Sequence, residues 1–502
     1  MFLLLGFLFS ATIAACLSPA YAHPRCSADP RLSVRIAGGV VHGTVDAAAP
    51  AVRQFLGIPF AKAPLGSLRF APPEPALPFG ELDATTLPPS CMQYLSGIPG
   101  VYTREVLEFN LQGLNTTGTI SEDCLTLGVW TPVGARKGDD LPVLIFIYGG
   151  GFQTGGIDVP YQLPPQWVQR TQEHIVVSFN YRLNIFGFPS AAGLEEQNIG
   201  LLDQRLAVEW VRDNIAEFGG NPARIGLWGQ SAGSMSVAFF SFAHYLDPIV
   251  HTLLMDSGTE LSGGGGVPLY SNFSFVAGNV GCGDLAPREE LACMRSVPAD
   301  EIENFLHSYN DAGTTPTISF WPVADGSVVF ANYTERALEG KIAKLPAILG
   351  TNAQDGNPFA PYNPSGINQT SAEEALLSLF FCPSFKSTRN RLAAGLPTFR
   401  YQYFGNFSNI SPKPWMGAYH SSELPMLFGT HPLFRGKSTE LEWATSHAMQ
   451  DAWLTMVRDG PAGLENLGWP AYTDVARGSV RNFGNGVSME LGDTRPLEAK
   501  CS

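Results

Sequence analysis

The stretch IGLWGQSAGSMS, residues 225–236, places Ser231 between two glycines, where an apolar run ends and a run of small residues begins. Residues 224–229 predict a buried strand, and residues 234–246 have the apolar content of a buried helix. The pattern Gly229-x-Ser231-x-Gly233 at such a junction is typical of a sharp turn that exposes a nucleophilic serine above a sheet. The alternative is a serine that caps the following helix. The flanking strand and helix favour the nucleophile.

Further apolar runs bounded by turn residues predict more buried strands, and helical patterns separate them. Residues 203–220 repeat apolar side chains at helical spacing and end in Gly219-Gly220. Strands that alternate with amphipathic helices indicate an α/β fold, with a mostly parallel sheet covered by helices on both faces. The sequence shows no repeat and no low-complexity linker, so we expect one elaborated domain over residues 23–502. The other predicted strands span residues 142–149, 174–180, 251–258, 345–350 and 399–405.

Composition limits the classes of partner. The chain has 502 residues, of which 45% are hydrophobic, and a net charge of −14. Such a chain can bury a large core, and its negative charge repels phosphate backbones, which argues against nucleic acid as a partner.

The N-terminus resembles a secretory signal. Residues 1–22 carry no charged side chain, contain a short apolar run and end in the small-x-small site Ala20-Tyr21-Ala22. We therefore expect cleavage near Ala22, secretion and no stable membrane anchor, because no later stretch is apolar enough to cross a bilayer. Six possible N-glycosylation sites fit a secreted protein, although Pro412 weakens the last of them. They are Asn115, Asn272, Asn332, Asn368, Asn406 and Asn409.

Cysteine usage agrees with an oxidising compartment. The sequence has eight cysteines, and Cys16 belongs to the predicted signal peptide, which leaves seven. An odd number leaves one cysteine over when the others pair. Their spacing contains no CxxC element, so we expect no metal site, and we identify no motif for a cofactor.

Two more features are consistent with a nucleophilic serine. The segment IYGGGFQTGG, residues 147–156, follows a predicted strand, and its successive glycines suggest backbone N–H groups that approach a ligand closely. In such a fold this loop donates to the oxyanion of an acyl-transfer intermediate. A serine also needs a base, and the chain order serine, acid, histidine leaves six candidates. They are His244, His251, His307, His420, His431 and His447.

From about residue 43 to residue 472, the chain resembles the type-B carboxylesterase and lipase family, which includes cholinesterases and secreted fungal lipases. SEDCLTLGVWTP, residues 121–132, resembles one signature motif of that family, and FGGNPARIGLWGQSAGSMS, residues 218–236, resembles the other. The resemblance implies an α/β-hydrolase fold with large loop insertions.

The resemblance also assigns roles. It makes Ser231 the nucleophile, and GAYHSSELPMLFG, residues 417–429, singles out His420 as the base. GTNAQDG, residues 350–356, places Asp355 at a position that usually holds glutamate, so the loop must lie closer to the base or Glu423 is the acid instead. The implied oxyanion donors are Gly150, Gly151 and Ala232.

The family also implies a covalent frame and two buried ion pairs, Arg69 with Glu122 and Arg182 with Asp203. Cys26 is then the unpaired cysteine. The implied disulfides are Cys91 with Cys124, Cys282 with Cys293, and Cys382 with Cys501.

The resulting hypothesis is a secreted serine hydrolase that acts on short-chain or aryl esters through a Ser-His-Asp triad. The first alternative is a lipase for triacylglycerols, with a mobile lid in the loop 91–124. A non-catalytic, adhesion-type member of the family is a minor alternative. Gln230 replaces a common glutamate, and no tryptophan occurs in the loop 91–124, which argues against cationic choline esters. The expected partner is a small ester or a lipid, and the sequence leaves the oligomeric state open.

Overall fold

The structure is a computed structural model that describes residues 29–111, 120–263, 265–266, 269–473 and 479–501. The predicted signal peptide, Cys26 and Asn115 lie outside these ranges.

The described residues form sixteen strands and thirteen α-helices. The strands are β1 (Ser33–Ile36), β2 (Gly39–His42), β3 (Thr44–Val45), β4 (Val52–Pro59), β5 (Gly80–Asp83), β6 (Ser90–Cys91), β7 (Ile120–Ser121), β8 (Thr126–Pro132), β9 (Leu141–Ile147), β10 (Ile175–Phe179), β11 (Gly220–Gln230), β12 (Thr252–Asp256), β13 (Ala347–Asn352), β14 (Thr398–Tyr403), β15 (Val480–Phe483) and β16 (Met489–Gly492). The helices are α1 (Pro165–Thr171), α2 (Asn184–Gly187), α3 (Ile199–Asn214), α4 (Ala232–Ala243), α5 (Ser271–Asn279), α6 (Pro287–Met294), α7 (Ala299–Asp311), α8 (Tyr333–Leu338), α9 (Gln369–Ala375), α10 (Cys382–Ala393), α11 (Leu424–Phe428), α12 (Glu440–Asn466) and α13 (Arg495–Glu498).

One sheet of eleven strands organises the molecule, in the order β16-β15-β14-β13-β12-β11-β9-β10-β8-β4-β3. The seven strands from β15 to β10 are parallel to one another, and the strands at both edges pair antiparallel. All six strands predicted from apolar runs are present in the parallel part. The α/β prediction is therefore confirmed, and the antiparallel edges are additional to it.

The parallel strands are buried on both faces, as their continuous apolar runs require. Every residue of β10, β12 and β14 is buried. The predicted helix in residues 203–220 is the end of α3, and a 3-10 turn, Ile215–Phe218, continues it to Gly219. The longest helix, α12, changes direction at Gly460, which has φ of 67° and precedes Pro461. The alternation of strands and helices thus forms a central sheet, and Ser231 directly follows its strand β11.

The covalent frame matches the pairs that the family resemblance implied. Disulfides join Cys91 to Cys124, Cys282 to Cys293 and Cys382 to Cys501.

The two implied ion pairs are also present. Arg69 and Glu122 form a bidentate pair with both N–O distances at 2.6 Å. Arg182 contacts Asp203 through Nε at 2.8 Å and Nη2 at 2.6 Å, and this pair is buried. Both arginines also donate to backbone carbonyls, so the pairs hold separate segments of chain together.

The predicted glycosylation sites differ in the exposure of their asparagine side chains. One site requires correction: Asn409 is buried, and its side-chain amide donates to the Oγ of Ser438 and the carbonyl of His431. A glycan on Asn409 does not fit the folded chain, because the amide nitrogen is already enclosed. The remaining predicted glycosylation sites in the described ranges are Asn332, Asn368 and Asn406, which are exposed, and Asn272, which is half-buried.

Of the helices in the described ranges, none combines the length and the apolar character that crossing a bilayer requires.

Candidate functional site

The turn between β11 and α4 exposes Ser231 in a strained backbone conformation. Ser231 has φ of 56° and ψ of −123°, a region that side chains rarely adopt. Both flanking glycines are required for space: a Cβ on Gly229 would lie 2.3 Å from the carbonyl of Gly233, and a Cβ on Gly233 would lie 1.9 Å from the carbonyl oxygen of Ile147. The N–H of Ser231 donates to the carbonyl of Asp256 at 2.8 Å, which holds the turn against the neighbouring strand.

The glycine loop after β9 lies beside this turn. Gly150 and Gly151 have φ of 105° and 61°, and a Cβ on Gly150 would lie 2.2 Å from the carbonyl oxygen of Thr154. Within the described residues, the N–H groups of Gly150, Gly151 and Ala232 take part in no backbone hydrogen bond. These three residues line the same cavity as Ser231. The arrangement therefore offers backbone donors next to the serine.

His420 is paired with Asp355. The Nδ1 atom of His420 lies 2.9 Å from Oδ1 of Asp355, and both residues are buried. The other carboxylate oxygen, Oδ2, accepts from the Oγ of Ser257 at 2.9 Å and from the backbone N–H of Asn352 at 2.7 Å. These donors fix the carboxylate, and a proton on Nδ1 leaves Nε2 as an acceptor.

The alternative acid, Glu423, has different neighbours. Its Oε2 accepts from the side-chain amide of Asn352, and no hydrogen bond within the described chain joins it to His420. Burial raises the pKa of Glu423 well above its usual value, and the nearby carboxylates of Asp256 and Asp355 raise it further. These effects favour the neutral form of Glu423 more than in a free glutamate, and its hydrogen bond with Asn352 supports the end of β13.

The loop that carries Asp355 lies close enough to His420 for the shorter side chain of aspartate to reach the imidazole. The side-chain oxygen of Gln354 accepts from the N–H of Ala418 at 2.8 Å, and the N–H of Gln354 donates to the carbonyl of Ala418 at 3.0 Å. Gln354 and Tyr419 also form a β-bridge. The loops before His420 and around Asp355 are thus joined directly, which makes the extra methylene of glutamate unnecessary.

Gln230 contacts the base. Its Nε2 lies 3.2 Å from Nε2 of His420, and both side chains are buried. Ser231 and His420 line the same cavity, but no hydrogen bond joins Ser231 Oγ to a described residue. The side-chain amide of Gln230 therefore makes the hydrogen bond to the imidazole Nε2 in this structure.

A further buried carboxyl lies under the turn. Asp256 accepts from the indole N–H of Trp228 and from the hydroxyl of Tyr401 at 2.9 Å. Burial raises the pKa of Asp256 to about 7, and these donors oppose the rise. Asp256 contributes its backbone carbonyl to Ser231 and its side chain to the packing between β11 and β14.

The serine, the histidine and the glycine loop open into a cavity of about 440 Å³. The ring of Phe380 lies 4.5 Å from the imidazole of His420, and the ring of Phe359 lies 5.2 Å from it. Most of the wall is apolar, so the cavity is suited to an aromatic or aliphatic group. Its large apolar residues are Leu95, Tyr102, Phe109, Val159, Met235, Trp321, Phe359, Leu379 and Phe380.

The loop 91–124, in which we expect a lid, forms part of this wall, and its residues 112–119 lie outside the described ranges. Tyr102 donates from its hydroxyl to the backbone carbonyl of His420 at 2.6 Å. Burial raises the pKa of Tyr102, which keeps its phenol protonated as a donor. This hydrogen bond joins the loop to the segment that carries His420.

Two other contacts hold the same loop. The hydroxyl of Tyr362 donates to the carboxylate of Glu105 at 2.5 Å, and Arg435 donates to the carbonyl of Glu105 at 2.9 Å. Both partners belong to segments outside the loop. The described part of the loop is thus attached to the body of the protein at several points.

The sequence patterns missed three residues that support the site. Ser257 and Asn352 follow or end the adjacent parallel strands β12 and β13, whose carboxyl ends meet at one edge of the sheet. That position is where ligand sites form in α/β sheets, so strand order could have indicated them. Tyr102 gives no such signal, because its contact with His420 spans 318 residues of sequence.

Comparisons with known proteins identify a family and several relatives of this chain. A family model described as the carboxylesterase family matches residues 30–379 and 376–490. The chain is 46% identical over 513 residues to chlorogenic acid esterase of Aspergillus niger, with 98% of each chain covered. It is 42% identical over 480 residues to secreted lipase 5 of Gibberella zeae, covering 88% of this chain and 87% of the relative. It is 30% identical over 484 residues to carboxylesterase 1E of Mus musculus, with 84% of each covered.

Proposed function

Because this chain belongs to the carboxylesterase family and is a hydrolase of the carboxylesterase and lipase type, we propose that it hydrolyses short-chain or aryl esters through Ser231, His420 and Asp355. The observation that carries the proposal is the strained Ser231, which faces the same cavity as a buried histidine hydrogen-bonded to a fixed carboxylate. The family membership and the enzymes among the relatives leave no support for the non-catalytic alternative.

In the proposed cycle, Ser231 attacks the ester carbonyl while Nε2 of His420 takes the hydroxyl proton. Asp355 holds the imidazole in the required tautomer and stabilises its charged form. The histidine then protonates the leaving alcohol, and water repeats the sequence to release the acid. No metal or cofactor takes part in these steps. The oxyanion is stabilised by the N–H groups of Gly150, Gly151 and Ala232.

Gln230 adds a step to this cycle. Its amide contacts the imidazole nitrogen that must receive the proton. We propose that this contact is exchanged for the serine hydroxyl when substrate enters. A neutral amide also leaves the cavity floor without the negative charge that a cationic substrate prefers.

Within this class we propose esters of aromatic acids, such as chlorogenic acid. The support is the aromatic wall of the cavity and the name of the relative that is 46% identical. The expected substrate is therefore a small molecule.

A lipase acting on triacylglycerols is the second candidate. Trp321, Phe359 and Leu379 line the cavity and are 37%, 48% and 37% exposed, so they form an apolar rim that suits a lipid surface. The loop contacts made by Tyr102 and Glu105 count against a lid that opens freely. We therefore place the esterase first.

We also propose that the protein is secreted after cleavage near Ala22. The charge-free apolar residues 1–22, the three disulfides and the relative named secreted lipase support this location.

The test is the replacement Ser231→Ala, assayed with nitrophenyl esters of increasing acyl length. We expect a loss of about 10⁴-fold or more in kcat, whereas Ser234→Ala in the same motif keeps most of the activity. Undiminished turnover by Ser231→Ala would refute the proposed nucleophile. Assays with and without an oil–water interface separate the candidates, because a long-chain optimum with interfacial activation supports the lipase.

A further inference from the structure

The polar side chains in the wall of the cavity mostly have partners within the protein. The Oγ of Ser96 donates to Asp311, the hydroxyl of Thr103 donates to the carbonyl of Ile98, and the amide of Asn110 donates to the carbonyl of Tyr102. Because these groups already have partners, they line the cavity without requiring a hydrogen bond from a ligand.

Gln162 is the exception. It lines the cavity, its Oε1 is buried, and no described residue donates a hydrogen bond to that oxygen. Among the described residues of the cavity wall, it is the single side chain with a buried polar atom in this state. A buried acceptor without a donor is unfavourable. A turn of the side-chain amide that brings this oxygen to the cavity would let a ligand supply the missing donor.

The segment that carries Gln162 is held firmly. It ends a 3-10 turn, Pro160–Gln162, and the preceding ring of Tyr161 packs 4.8 Å from the ring of Phe109. The hydroxyl of Tyr161 accepts from Arg435 at 3.0 Å. These contacts fix the backbone of Gln162. The last torsion of a glutamine side chain has a broad range, so the side-chain amide can still turn toward a ligand.

The residues near the side-chain amide of Gln162 indicate the chemical class of the ligand. Phe109 and Val159 line the same cavity and present apolar surface, which suits a flat ring, whereas the amide requires a hydrogen-bond donor. A phenolic hydroxyl combines the two properties, because its ring is apolar and its O–H both donates and accepts.

The order of the reaction indicates which half of the ester carries the ring. The alcohol leaves before the acyl-enzyme is hydrolysed, so the alcohol side must open to solvent. A side chain whose amide oxygen is buried belongs to the side that stays bound through both steps. That side is the acyl group.

We infer that Gln162 is a specificity-determining residue that hydrogen-bonds a phenolic hydroxyl on the aromatic acyl group of the substrate. This inference rests on the proposed function, since it names the acyl chemistry of the same site. A site built around a hydroxyl discriminates against the analogue without it, because the protein group is then left unpaired.

The experiment compares three methyl esters: cinnamate, 4-hydroxycinnamate and 3,4-dihydroxycinnamate. For the unaltered enzyme we expect kcat/KM to be about 10- to 100-fold higher for the hydroxylated esters than for cinnamate. In Gln162→Met, which keeps the length of the side chain and removes the amide, this ratio falls to near one, and the loss is confined to the hydroxylated esters.

Thr103→Val serves as the matched control, since the hydroxyl of Thr103 already has a partner in the protein. It should alter the rates on all three esters by the same factor. The inference is overturned if the unaltered enzyme treats the three esters alike, or if Gln162→Met retains the preference. If none of the three esters is hydrolysed, the proposed aromatic substrate is wrong and the inference fails with it.

Discussion

Replacing Asp355 with asparagine keeps the shape of the side chain and removes its charge. The N–H of Asn352 and the hydroxyl of Ser257 both donate to Oδ2, at 2.7 and 2.9 Å. These donors hold the oxygen of the new amide at that position, so its NH₂ group faces Nδ1 of His420. The imidazole must then accept at Nδ1 and carry its proton on Nε2, which cannot take the proton of Ser231.

The expected loss follows from this tautomer. An asparagine in the equivalent place of a serine triad lowers kcat by about 10⁴-fold, which corresponds to about 5 kcal/mol of transition-state stabilisation. We expect the same order for Asp355→Asn in the hydrolysis of a nitrophenyl ester at pH 7. The melting temperature should change little, because the hydrogen bonds of the carboxylate are kept.

Glu423→Gln provides the matched control, since it makes the same chemical change in the neighbouring carboxyl. Burial raises the pKa of Glu423 well above its usual value, which favours the neutral carboxyl, and its Oε2 accepts from the side-chain amide of Asn352. The expected loss is less than about 10-fold, as for one neutral hydrogen bond. If Glu423→Gln lost as much activity as Asp355→Asn, or if Asp355→Asn kept more than a tenth, the acid would be assigned wrongly.

Two further variants test other parts of the structure. Gln230→Glu places a carboxylate beside the imidazole, which is 3.2 Å from the present amide, and stabilises the imidazolium ion. The acidic limb of the kcat/KM profile should therefore move to higher pH, by about 1 to 3 units, and an unmoved limb would contradict the contact. Cys382→Ser opens a disulfide that spans 119 residues to Cys501 and should lower the free energy of unfolding by about 2–5 kcal/mol. Opening the disulfide that spans 11 residues should cost less in the same denaturation assay, and equal losses would contradict the argument.

The central part of the fold could be predicted because its signals are local. A strand buried on both faces requires an unbroken apolar run, and six such runs predicted β9 to β14. The edge strands lack this signal. β3 has only two residues, both half-buried, and β16 is half-exposed, so neither stands out from a polar loop.

The candidate site also combines features that have a local sequence signal with features that have none. The turn at Ser231 could be predicted because two glycines and the flanking elements lie within a dozen residues. The choice between Asp355 and Glu423 depends on how far apart two loops lie, and that distance is set by the bridge between Gln354 and Tyr419. No short stretch of sequence records a contact between loops, so the family pattern alone left the acid open.

The hydrogen bond from Tyr102 to the carbonyl of His420 has a consequence for protein engineering. Residues 95–110 supply much of one cavity wall, which makes them an attractive segment to exchange when a new substrate range is sought. The same segment also holds the backbone of His420 through the hydroxyl of Tyr102. An exchanged segment without this tyrosine would therefore alter turnover on every substrate. Libraries built on this scaffold should therefore vary the residues around Tyr102 and keep the tyrosine itself.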